Sequence, residues 1–312
     1  MSLVSVFLLH GLAIAAPDPG ADATAKILEG MELSVELTLV EAGAEPRQVL
    51  RYRPKPGSKV DLEMVNTQQM KMEMIGPDGT AMPMPGMGDL SPTMIMGMHQ
   101  EVGQPVDNGM IPVTVGYTEM SVTGVPDEMK GAMLAGMKPL EGTSFRMLVD
   151  QKTGKITQID VDSDTSDELY GALQSMADGF SRNMAQFPDE PVGVGAKWTI
   201  DLDMNMAGMQ LGATNHMTVT KIQGDRVEMA FDMVMNKGDS KMDFPGMPPG
   251  AEVDFTRFEA SGSGTHVIDL ATMATLSTSK TDMDLAMKVA AEGQNMGMNM
   301  KMNQKSEIRP KQ

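Results

Sequence analysis

No cysteine occurs anywhere in the 312 residues. Disulfides, thiolate nucleophiles, Cys-ligated zinc and iron–sulfur clusters are therefore excluded together. Aromatic residues are scarce, at 4% with a single Trp, so a core has to be built from aliphatic and methionine side chains. Basic residues are outnumbered, 25 Lys+Arg against 42 Asp+Glu, for a net charge of −17. That balance argues against nucleic acid as a partner, because phosphate recognition needs clustered Lys and Arg. The four histidines, at 10, 99, 216 and 266, are scattered and form no H-x-x-x-H or H-E-x-x-H pair, so a zinc enzyme is not indicated. There is no G-x-S-x-G or Walker loop, and Gly193-Val194-Gly195 leads into a strand instead of following one. With no catalytic constellation in view, a non-enzymatic protein is expected. Beyond the N-terminus no run reaches the ~18 apolar residues of a membrane helix, so no transmembrane anchor is expected.

Leu3 to Ile14 is apolar and ends in Ala13-Ile14-Ala15-Ala16, which fits a small-residue cleavage site. Pro17, Pro19 and Gly20 follow at once and would break a helix. Residues 1–16 read as a signal peptide, although no Lys or Arg precedes the apolar run. The mature protein is then expected in the periplasm or outside the cell.

What the chain has in abundance is methionine, 36 residues, set in period-2 alternation. Leu33, Val35, Leu37 and Leu39 alternate with polar residues, and Leu62, Met64, Met70, Met72 and Met74 share one parity. So do Met94, Met96 and Met98, and later the sets Val227 to Met235, Met283 to Val289 and Met296 to Met302. Such alternation marks antiparallel strands with one apolar face. Turns are expected at Gln223-Gly224-Asp225 and across Asp150 to Lys155, where glycine supplies positive φ. Two stretches have helical spacing. Ser166 caps Asp167 and Glu168, and Leu169, Leu173, Met176, Phe180 and Met184 line one face up to Pro188. A weaker helix follows Pro126, with Met129, Met133, Leu134 and Met137.

The halves echo each other. Gly57-Ser58-Lys59 is matched by Gly195-Ala196-Lys197, and Asp150-x-x-Thr153 by Asp269-x-x-Thr272. The fold class expected is mainly β (α+β), with antiparallel curved sheets forming two related β units or one open barrel or clam, joined by an amphipathic helix. The divisions are 17–47 with the first strand, 48–165 as the first β unit, 166–190 as the connecting helix and 191–312 as the second β unit.

Leu50-Arg51-Tyr52-Arg53-Pro54-Lys55-Pro56-Gly57-Ser58-Lys59 and Pro191-Val192-Gly193-Val194-Gly195-Ala196-Lys197-Trp198 resemble a bacterial family of secreted proteins and lipoproteins known only as a domain of unknown function. The resemblance covers roughly residues 48 to 305 and implies compartment and fold, not activity. Unlike the lipoprotein members, this chain has no Cys to lipidate.

Methionine admits three chemistries. As a flexible apolar side chain it fills curved interiors and adapts to varied guests, so Met70, Met72, Met74, Met229, Met233, Met235, Met296, Met298 and Met300 are expected to line a cavity for an apolar small molecule or lipid, or to face an envelope protein. As a soft ligand it suits Cu(I), and Met94, Met96 and Met98, with His99, are the candidates for copper as an alternative cofactor. His99 falls on the opposite parity, which counts against its joining them. Met82 to Met87 and Met296 to Met302 are further copper candidates. Exposed methionine can also serve as an oxidant sink through reversible sulfoxide formation. Asp160, Asp162, Asp164 and Asp167 lack the Gly and Glu of a calcium loop and read as solvated charge and helix capping.

Overall fold

The computed structural model describes residues 32–76, 80–83, 91–106, 109–161, 187–206, 209–237, 252–291 and 294–311. The signal peptide read at 1–16 and the helix read from Ser166 lie outside these residues.

Among the described residues, thirteen strands form one antiparallel sheet that does not close. They are β1 (Glu32–Glu41), β2 (Lys59–Ile75), β3 (Ala81–Pro83), β4 (Thr93–Val102), β5 (Met110–Thr123), β6 (Ser144–Asp150), β7 (Ile156–Val161), β8 (Lys197–Met206), β9 (Met209–Gln223), β10 (Arg226–Lys237), β11 (Glu252–Asp269), β12 (Thr275–Ala291) and β13 (Gln294–Pro310). The spatial order is β1-β8-β9-β10-β11-β12-β13-β2-β4-β5-β6-β7, with β3 beside β2. The helix after Pro126 is present as α1 (Asp127–Met137), packed on β5. One open sheet, mainly β, is thus the form the expected architecture takes. The first strand joins the second half through β8, and the last strand joins the first half through β2.

The β2–β13 seam is held by register and charge. Met70 stands opposite Met302, Met72 opposite Met300 and Glu63 opposite Arg309. The Arg309 guanidinium donates to Glu63 Oε1 from Nε and Nη2, at 3.0 and 2.6 Å. Apolar groups point inward on both strands while the charges stay outside, and the inward faces of the sheet form one continuous apolar cluster. A single sheet buries one face across its breadth by curling, so that the face meets itself.

Bulges supply part of that curvature. Four pairings carry one unpaired threonine each: Thr118 (β4–β5), Thr157 (β6–β7), Thr220 (β9–β10) and Thr256 (β11–β12). Three of these hydroxyls donate across the irregularity, from Thr157 to the Leu148 carbonyl (3.2 Å), from Thr220 to that of Glu228 (3.0 Å) and from Thr256 to that of Ala286 (3.3 Å). The threonine satisfies a carbonyl where the ladder slips. At Thr118 the slip also switches parity, so that Val113, Val115 and Tyr117 face inward before it and Met120 and Val122 after it.

One end of the sheet, called upper here, is where β2 begins and β13 ends. It is closed by two turns of the same design. Asp150 Oδ1 accepts the N–H groups of Lys152 (2.8 Å) and Thr153 (2.7 Å), and Asp269 Oδ1 those of Ala271 (2.9 Å) and Thr272 (2.8 Å). Thr153 and Thr272 then accept, through Oγ1, the N–H two residues on. The following position has positive φ in both: Gly154 at 70° and Met273 at 61°. The two turns are therefore copies, and the segment 51–57 runs between them. Its Arg53 and Lys55 N–H groups donate to the Leu270 and Ala271 carbonyls, and Arg51 donates to that of Lys152. Leu50, Tyr52, Trp198, Leu270 and Met273 are buried beneath. At Gly224, φ is +59° in the first central position of the two-residue β9–β10 turn, where a type II′ hairpin needs glycine.

Candidate functional site

Toward the lower end, β12, β13 and β2 present a lattice of thioethers. Three inward rows run across the strands: Met283, Met302 and Met70; then Leu285, Met300 and Met72; then Met287, Met298 and Met74. Eight of nine positions are methionine. The lattice arises because each strand alternates strictly and the registers bring like parities into line. Burial falls row by row. The first two rows are buried, Met298 and Met287 are partly buried, and Met74 is 38% exposed at the rim. Methionine thus runs without a break from the core to the surface, on a face that a Leu or Val sheet would pack more rigidly.

Above the lattice the inward face changes character. Gln68 lies opposite Gln304, which lies opposite Thr281, and Asn66 lies opposite Ser306, one row higher. Gln68 and Thr281 are 1% exposed, and Asn66 and Gln304 are 2% exposed. Among the described residues these polar atoms have no partner: both side-chain polar atoms of Asn66 and of Gln304, Oε1 of Gln68 and Oγ1 of Thr281. All the buried polar residues among those described are uncharged: Asn66, Gln68, Gln100, Asn215, Ser279, Thr281 and Gln304. From the rim at Met74 to the amide of Gln68 is six residues of strand, about 20 Å. The inward face therefore carries a methionine-rich apolar stretch that ends on a row of neutral side chains able to hydrogen-bond.

Of the expected lining residues, Met70, Met72 and Met300 are buried in the lattice, Met298 is half-buried and Met74 opens onto the surface. Met229, Met233 and Met235 are buried on β10, in the same cluster. Met296 stands opposite Val289, and its side chain lies outside the description. The copper candidates divide. Met94, Met96 and Met98 are buried inward on β4, beside Asn66, Met64 and Leu62 of β2. His99 is on the outer face, its Nδ1 2.7 Å from Asp61 Oδ1. Met82 is exposed on β3, and residues 84–87 of that motif fall outside the description. Among the described residues no three His, Asp or Glu side chains gather as a metal-binding group. Asp160 pairs outside with Arg146 at 3.2 Å, and Asp162, Asp164 and Asp167 lie outside the description.

His266 sits higher on the inward face, stacked on Phe231 with ring centroids 4.6 Å apart and 11° between planes. Its Nδ1 has no partner among the described residues, and burial of the ring pushes its pKa down to about 3, so it is neutral at physiological pH. Tyr52, buried at the upper end against Phe187, has a hydroxyl with no partner among the described residues, and burial raises its pKa above the ordinary tyrosine value.

The amide row escaped the sequence reading, yet a signal was there. Asn66, Gln68, Gln304 and Ser306 hold the inward parity of strands whose other inward members are mostly methionine, and Thr281 holds the parity of Met283, Leu285 and Met287.

Residues 170–275 match the model of a family of unknown function, DUF6263. The match accords with the resemblance to a domain-of-unknown-function family carried by residues 48 to 305. No curated protein matches the chain. Among solved structures, a Pseudomonas aeruginosa FadL homologue aligns with 88% of this chain and 98% of its own, at 12% identity and a TM-score of 0.19. An outer membrane channel from Pseudomonas putida F1 aligns with 83% and 97%, at 9% identity and a TM-score of 0.15. At these scores the likeness carries no argument about fold or function.

Proposed function

We propose that the protein is a non-enzymatic binder of an apolar or lipid-like molecule, held between the curled walls of the sheet and admitted at the lower rim. The observation that carries this is the methionine lattice of β12, β13 and β2, continuous from buried Met70, Met302 and Met283 to exposed Met74. A lattice meant only for packing has no need to reach the rim in an adaptable side chain, whereas a guest of variable shape is accommodated by side chains with three soft torsions. After removal of residues 1–16 the protein would act in the periplasm or outside the cell, receiving its guest from, or passing it to, an envelope partner. Among the described residues no helix is long and apolar enough to cross a membrane.

Copper carriage draws on Met94, Met96 and Met98, and their placement favours packing. All three are buried, Met96 and Met98 within the apolar core cluster, and the imidazole suggested as a fourth donor stands on the other face of the strand.

Titration of the full chain with the neutral apolar dye N-phenyl-1-naphthylamine tests the proposal. Saturable binding is expected, weakened at least fivefold by Met74→Asp, which places a charge at the rim without disturbing the buried rows. No binding, or binding indifferent to Met74→Asp and to Met300→Gln, would overturn it.

A further inference from the structure

The methionine lattice accounts for an apolar tail but leaves the amide row unexplained. Buried amides and hydroxyls are almost always hydrogen-bonded, because an unmet donor or acceptor away from water keeps its full desolvation cost. Here six such atoms on four residues, Asn66, Gln68, Thr281 and Gln304, gather on three adjacent strands, each residue no more than 2% exposed. A purely architectural role, fixing the register of β13 against β2, would be met by Gln68 and Gln304 bonding to one another as cross-strand partners. Gln68 Oε1 and both polar atoms of Gln304 have no such bond. The row lies on the inward face at the buried end of the methionine lattice, where a guest seated along the lattice with its tail toward the rim would place its polar group.

We propose that Asn66, Gln68, Thr281 and Gln304 read an uncharged polar group, an alcohol, ester or amide, on a long-chain guest, and so select neutral amphiphiles over both charged lipids and plain hydrocarbons. This rests on the apolar-binding reading above and adds the class of ligand. Neutrality follows from the surroundings. The buried polar residues described are all uncharged, so a carboxylate, phosphate or ammonium at this depth would be desolvated with no counter-charge. The mixed inventory fits a neutral group as well, since amide N–H groups donate, amide oxygens accept and the Thr281 hydroxyl does either. Discrimination against a hydrocarbon of equal length follows from the same accounting: a plain alkane leaves these atoms unmet, and an alcohol or amide satisfies them.

The test is displacement of N-phenyl-1-naphthylamine from the full-length protein at pH 8 by four chain-matched competitors, hexadecane, hexadecan-1-ol, hexadecanamide and hexadecanoate. The alcohol and the amide are expected to displace the dye at least tenfold more effectively than the alkane, and more effectively than the carboxylate. In the variant Gln68→Leu/Gln304→Leu the alcohol and the alkane should compete equally while the dye still binds. Should that variant fail to fold, the single substitution Gln68→Met is expected to shrink the preference for the alcohol at least threefold. Equal competition by alcohol and alkane in the unmodified protein, or preference for hexadecanoate, would overturn the assignment while leaving apolar binding in place. Absence of dye binding altogether would overturn the apolar reading, and this one with it.

Discussion

Replacing Gln304 with methionine should make the protein more stable. Ordinarily, removal of a buried hydrogen-bonding residue destabilises, because it strands the partner. Gln304 is 2% exposed, neither of its side-chain polar atoms has a partner among the described residues, and Met302 and Met300 continue the same inward parity below it. Methionine has a similar volume and unbranched shape, so the swap removes an unmet amide without opening a cavity. An unsatisfied buried amide costs about 1–3 kcal/mol, and that is the expected gain. For a chain of 312 residues, with an unfolding entropy of about 2.1 cal/mol/K per residue, each kcal/mol raises the melting temperature by roughly 1.5 °C. Thermal and urea unfolding followed by far-UV circular dichroism and by the fluorescence of Trp198 would read it. The same variant should lose selectivity for alcohols over alkanes, so stability and recognition move in opposite directions, as expected where a site carries uncompensated polar groups. A fall in stability on Gln304→Met would refute the reasoning, because it would mean that the amide is satisfied in the folded protein.

Met302→Ala, at 1% exposure in the first lattice row, should cost about 2–5 kcal/mol through lost burial and a residual cavity. Met74→Ala, at the rim, should stay within about 0.5 kcal/mol, and urea melts of the pair would separate the two ends of the lattice. Asp269→Ala removes the acceptor of two turn N–H groups above buried Leu270 and Met273 and should cost about 2–3 kcal/mol in the same assay. His266 has a folded pKa depressed to about 3 against an ordinary value near 6.5. The unfolded chain therefore binds the extra proton first, and the stabilising contribution is full above about pH 6.5 and lost as pH falls toward 3. Between pH 7 and 5 the loss is at most about 2 kcal/mol, and His266→Phe should flatten that part of the stability profile in urea melts.

Much of this architecture was open to a reading of the sequence, because period-2 alternation is a local property that methionine displays as clearly as valine. The strands through Met70, Met94, Met229, Met283 and Met300 follow from it directly. So do the paired Asp-x-x-Thr turns, whose side chains bond within four residues and need no distant partner. Long-range register was not legible. Nothing local places Arg309 opposite Glu63 or Met302 opposite Met70, and this seam between the last strand and β2 is what builds the lattice. The bulges were hidden for a related reason: Thr118 is an ordinary strand residue until a partner strand fails to match it, and only then does the inward parity pass from Tyr117 to Met120. The amide row was overlooked because Asn66 and Gln68 read as interruptions of an apolar pattern. Their significance depends on Gln304 and Thr281 arriving beside them from the far end of the chain.

Native mass spectrometry of the mature protein, purified without detergent from the envelope of its own host, tests the central claim most directly. The account predicts a co-purifying neutral adduct of lipid size, released on unfolding and diminished in Met74→Asp, with no stoichiometric uptake of added Cu(I). A protein that carries no adduct, and instead binds Cu(I) in an integral ratio that vanishes when Met94, Met96 and Met98 become leucine, would contradict it.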